Sequence, residues 1–83
     1  MIDTPRASIL LVDDRPENLV ALEATLAPLD CELVTATSGA EALRHLLDGD
    51  FAVILLDVQM PELDGFETAR YIKQRERTRD IPI

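Results

Sequence analysis

Asp13 and Asp14 close the apolar run Ile9-Leu10-Leu11-Val12, and Asp57 closes the run Val53-Ile54-Leu55-Leu56. A short apolar run bounded by polar residues reads as a strand buried on both faces, as in parallel sheets. Open parallel sheets bind ligands just beyond the carboxyl ends of their strands. If the two strands are neighbours, their carboxylates meet in one crevice. Carboxylates about 4 to 5 Å apart repel by roughly 3 to 4 kcal/mol per pair at an effective dielectric near 20. A fold keeps such a cluster when a cation compensates it or one acid stays protonated. Magnesium suits the site, being hard, oxygen-seeking and commonly shared between one or two carboxylates and phosphate oxygens. An aspartate left over can act as a nucleophile, since carboxylates form aspartyl-phosphate intermediates.

The elements that must position these acids can be read in order. Residues 1–7 form a polar lead-in containing Pro5, expected to be flexible. Ser8 to Val12 is the first strand, and Pro16 stands where a first-turn proline opens a helix. Leu19, Leu22, Leu26 and Leu29 supply that helix's apolar stripe, and Pro28 ends it. Cys31 to Ala36 has the composition of a second strand. Ser38 and Glu41 spell a capping box, so a second helix begins there, with Ala40, Leu43, Leu46 and Leu47 inward and Gly49 closing it. Phe51 to Leu56 is the third strand. Asp64-Gly65 supplies turn chemistry, and Phe66, Ala69 and Ile72 mark a third helix that runs into the charged stretch Lys73 to Asp80. Ile81-Pro82-Ile83 opens a fourth strand. Such alternation implies right-handed crossovers and a parallel α/β sheet with helices on both faces.

Plainer roles compete for several of these residues. Asp13 and Asp14 could cap the first helix, and Asp57 could simply end a strand. Asp64 reads as a turn or capping residue rather than a chemical one, and Gly65 as conformational. His45 has no second ligand at suitable spacing and reads as a surface histidine. Cys31 reads as a small buried hydrophobe. Lys73 and the arginines at 70, 75, 77 and 79 interleave with Glu76 and Asp80, as on a solvated helix face.

Length and charge bound the function. At 83 residues there is room for one domain, and the 47% apolar content is ample for a core. A chain this short buries only about 60 to 65% of its unfolded surface, so its stability is marginal. A single cysteine excludes an intrachain disulfide. Low cysteine use and the lack of an apolar leader point to the cytoplasm. The net charge of −8 argues against nucleic acid or an anionic membrane as partner. No apolar run approaches membrane-spanning length.

Two stretches together carry a family signature. Leu10-Leu11-Val12-Asp13-Asp14 and Leu55-Leu56-Asp57-Val58-Gln59-Met60-Pro61-Glu62-Leu63-Asp64-Gly65 closely resemble the receiver domain of two-component response regulators. The likeness runs from Ser8 to Ile83. The stretch Asp14-Arg15-Pro16-Glu17-Asn18 resembles receivers attached to hybrid or multidomain sensor kinases. The resemblance implies a doubly wound, flavodoxin-like sheet in the order 2-1-3-4-5, with strands 1 and 3 side by side. It implies that Asp57 is the phosphoacceptor, taking a phosphoryl group from a histidine kinase or phosphotransfer domain in a phosphorelay. Asp14 would ligate Mg2+ directly, Asp13 largely through water, and the backbone carbonyl of Gln59 would complete the protein's share. Such a domain is a signalling module, not an enzyme beyond its own phosphorylation and dephosphorylation.

The chain also departs from the family pattern. The family places a Ser or Thr after strand 4, and a Lys and an aromatic switch residue at strand 5; none has a counterpart before Ile83. Thr78 and Lys73 occur too early to substitute, and Tyr71 is on the wrong helix. The resemblance therefore extends to about three β-α units plus the start of strand 4, a receiver incomplete at its C-terminus. The exposed strand-3/strand-4 edge is then a template for self-association. Two other functions compete: a phosphorylation-incompetent binding or oligomerisation module, and a magnesium-dependent phosphohydrolase resembling haloacid dehalogenases. The second is disfavoured, because Gln59 stands where that family has a second Asp.

Overall fold

The computed structural model describes residues 7–57 and 64–83. The order of elements is β1 (Ala7–Val12), α1 (Pro16–Leu26), β2 (Cys31–Ala36), α2 (Gly39–Asp48), β3 (Val53–Leu56) and α3 (Gly65–Gln74). The strands form a parallel sheet in the order β2-β1-β3. Val12 pairs with Ala36 on one side and with Leu56 on the other, so β1 and β3 end level. The ladder carries past the strand ends, with Asp13 N–H donating to Ala36 O at 3.1 Å and Asp57 N–H to Val12 O at 2.9 Å.

The apolar run of β1 is buried on both faces, as expected: Leu10, Leu11 and Val12 are all inaccessible or nearly so. Alternation sends Leu10 and Val12 to one face, where they join Ala36, Ala42, Leu46, Ile54 and Ile72 in the main core. α2 and α3 pack against each other over this face. α1 takes the opposite face through buried Leu19. Among the described residues, no helix is long and apolar enough to cross a membrane.

Several sequence expectations are corrected. β3 begins at Val53 rather than Phe51, although Ala52 N–H already donates to Ser8 O at 2.8 Å. Nor is β3 buried on both faces. Leu55 is 37% exposed, because its side opens into a cavity of about 440 Å³ between Leu22, the strand ends and Ile83. Leu29 lies beyond the end of α1 and is exposed, since the turn before it stops the helical stripe at Leu26. In α2 the inward face is Gly39, Ala42 and Leu46 with Leu43 alongside; Ala40 and Leu47 face out. In α3 it is Gly65, Thr68 and Ile72, with Phe66 exposed.

The Lys73–Asp80 stretch is not a continuous helix face. The helix stops at Gln74 and a turn follows. Buried Thr78 donates its hydroxyl to Ile72 O at 2.7 Å, and Lys73 Nζ donates to Arg79 O at 2.9 Å and Ile81 O at 2.8 Å. Arg77 reaches Asp50 at 3.1 Å. These ties deliver Ile81–Ile83 beside β3, where Ile54 N–H donates to Pro82 O at 2.9 Å; the segment lies where the opening of a fourth strand is expected but forms no strand.

Candidate functional site

Each acid of the site is placed by the end of an element. Val12 and Leu56 are level partners at the carboxyl edge of the sheet, so the residues that follow them, Asp13 and Asp57, emerge side by side. Asp14 comes next in the β1–α1 turn. One carboxylate oxygen from each of Asp13, Asp14 and Asp57 lies within 4.8 Å of the other two. Asp13 is buried, and Asp14 and Asp57 are half-buried. They border a crevice of about 370 Å³ that Arg15 and Asn18 also line.

At this spacing each pair of ionised carboxylates repels by about 3.5 kcal/mol at an effective dielectric near 20. The donors are all oxygens, with no thiolate or imidazole among the clustered groups, a set suited to a hard divalent cation rather than to zinc or copper. The carboxyl edge of a parallel sheet is also where such folds bind ligands.

The surrounding backbone fixes part of the cluster. Asp13 Oδ1 accepts from Arg15 N–H at 3.0 Å, and its Oδ2 accepts from the Asn18 amide at 3.1 Å. Arg15 precedes Pro16 and is extended (φ −103°, ψ 110°), the conformation that a following proline favours. Sequence reasoning gave Asn18 no role in the site; its signal was an uncharged donor in the first turn of the helix that follows the acid pair.

The remaining expectations divide cleanly. Asp64 caps α3, its carboxylate accepting from Glu67 N–H at 2.8 Å, and takes no part in the cluster. Gln59 lies outside the described residues, as do the other residues of 58–63. Neither Lys73 nor Thr78 is among the residues lining the crevice; both are engaged in the turn after α3.

Residues 9–83 match the family described as the response regulator receiver domain. The chain belongs to that family. Response regulator PleD of Caulobacter vibrioides is 43% identical to this receiver over 77 residues, 93% of this chain and 17% of its own. Hybrid signal transduction histidine kinase L of Dictyostelium discoideum is 39% identical over 77 residues, 89% of this chain and 4% of its own. Among solved structures, chemotaxis protein CheY4 of Vibrio cholerae superposes with a TM-score of 0.89 at 33% identity, covering 95% of this chain and 66% of that one. Response regulator TrrA of Thermotoga maritima, crystallised in complex with Mg2+-BeF, gives a TM-score of 0.80 at 34% identity, covering 86% of this chain and 62% of that one. The receiver thus spans a small fraction of its curated relatives and about two thirds of the CheY4 chain. The fold is the CheY-like, flavodoxin-like α/β receiver, and the family is a signalling domain of two-component systems that works with histidine kinases or phosphotransfer proteins.

Proposed function

We propose that this receiver accepts a phosphoryl group on Asp57 from a phosphohistidine of a kinase or phosphotransfer partner, with Mg2+ bound between Asp13, Asp14 and Asp57. The observation that carries the proposal is the convergence of the three carboxylates within 4.8 Å at the carboxyl edge of β1 and β3. Asp57 Oδ attacks phosphorus as the P–N bond to the partner's imidazole breaks, and the imidazole leaves with the electron pair of that bond. Asp13 and Asp14 would hold the cation, with the backbone carbonyl of Gln59 as its further expected ligand. When bound, Mg2+ neutralises charge on the transferring oxygens. The backbone bonds from Asp13 N–H to Ala36 O and from Asp57 N–H to Val12 O support this register of acceptor and cation ligands.

Incubating the chain with Mg2+ and acetyl phosphate, then weighing it by mass spectrometry, tests this. A labile phosphoryl adduct on wild type that is absent from Asp57→Asn is expected; an adduct that survives the substitution contradicts the assignment.

One observation favours a second reading, a binding module that works without phosphorylation. Among the described residues the crevice is lined by acids, Arg15 and Asn18, with neither lysine nor hydroxyl to grip phosphoryl oxygens. Partner binding unchanged by Asp57→Asn would select it. We further propose that the receiver acts in the cytoplasm, in keeping with its single cysteine. Association of the 83-residue chain with itself is also proposed, supported by exposed Leu55 and Ile83 beside the open groove.

A further inference from the structure

Asp13 is the most buried acid of the cluster, and both of its oxygens already have a protein donor. The two donors differ in kind. The Arg15 N–H is set by backbone that Pro16 restrains. The Asn18 amide is a side chain projecting from the first turn of α1, so its hold is the part that the sequence can change. A carboxylate offers about four lone-pair directions, so one donor to each oxygen leaves acceptor capacity for a further partner. The donor is also uncharged. A lysine or arginine at this position would satisfy Asp13 by placing a positive charge where the cluster needs a cation, whereas an amide orients the carboxylate and leaves the charge uncompensated.

We propose that Asn18 is a positioning residue of the cation site, holding the Asp13 carboxylate in the orientation that serves a divalent ion shared with Asp14 and Asp57. The inference rests on the magnesium reading of the cluster. Partners that orient a ligating side chain influence affinity strongly, and at this partly open site about a tenfold effect, the lower end of their range, is expected.

The test is a Mg2+ titration of the 15N-labelled chain, followed by NMR, with Asn18→Leu and Asp14→Asn beside wild type. Asn18→Leu removes the donor, keeps much of the side chain's size and improves helix propensity. It is expected to raise the Mg2+ Kd about tenfold, while the metal-free chain keeps a cooperative melt whose midpoint falls by no more than the loss of one hydrogen bond explains. The Asn18 side-chain amide signal of wild type is expected to shift with the same saturation curve as the Asp13 backbone signal. An unchanged Kd in Asn18→Leu, with binding still abolished by Asp14→Asn, overturns the positioning role and leaves the cation site standing. A weakened Kd that comes with loss of the cooperative metal-free melt marks Asn18 as merely structural and also overturns it. Wild-type binding that is indifferent to Asp14→Asn overturns the cation reading, and this inference with it.

Discussion

Charge repulsion within the acid cluster sets what single substitutions do. Each pair of carboxylates costs about 3.5 kcal/mol at this spacing and an effective dielectric near 20, before solvent and donors offset it. Relieving part of that repulsion should stabilise the metal-free fold. Asp14→Asn is therefore expected to raise the thermal midpoint in EDTA, by about 4 to 8 °C if the net gain is about 1 kcal/mol. The same variant should lose the stabilisation that Mg2+ gives wild type, about 2.7 kcal/mol when the ion is at a hundredfold its Kd. Parallel thermal melts with EDTA and with Mg2+ check both statements. Asp13 should respond differently. It is the better buried acid and accepts from Arg15 and Asn18, so its replacement by Ala leaves those donors without their acceptor, and the repulsive gain is offset by about 1 kcal/mol or more.

Caps and turns decide where the helices begin and how the last segment is seated. Ser38 Oγ accepts from Glu41 N–H at 3.1 Å, and Asp64 does the same for Glu67 at α3. Ser38→Ala and Asp64→Ala should each cost about 1 kcal/mol in chemical denaturation, with no effect on the Mg2+ Kd for Ser38→Ala, since Ser38 neither lines the crevice nor joins the cluster. Thr78→Val removes the buried hydroxyl that bonds Ile72 O, and is expected to cost about 1 kcal/mol as well. These elements also show what a sequence can and cannot reveal. Strand runs that end in acid, the Ser38 cap and the Pro16 start are local signals, and each matches the structure. In α2, Leu43, Leu46 and Leu47 fit two overlapping stripes, and only packing against the sheet chooses Leu46 over Leu47. The ties of Lys73, Arg77 and Thr78 were missed because they depend on a turn after Gln74 and, for Arg77, on a partner distant in sequence. Asn18 carries only a faint local signal, an uncharged donor soon after the acid pair, because an amide that caps looks the same in sequence as one that reaches back to an acid.

At the scale of the whole molecule, the described residues cover one side of the sheet more fully than the other. The α2/α3 side holds the continuous core, whereas the α1 side leaves Leu55 and Ile83 exposed around an open groove. Sedimentation velocity of the 83-residue chain should therefore show concentration-dependent association, and a single monomeric boundary across working concentrations would contradict it. Of the 16 acidic residues, only three among those described form the cluster, so bulk cation binding alone says little about the crevice. The direct measurement is site-resolved: titrate the labelled chain with Mn2+ at low stoichiometry, read paramagnetic broadening amide by amide, and compete with Mg2+. The signals of Asp13, Asp14 and Asp57 are expected to broaden first and together, and to recover as Mg2+ is added. Broadening that begins at other acids, such as Asp48 and Asp50, while these three stay sharp would contradict a cation site at the carboxyl edge of β1 and β3.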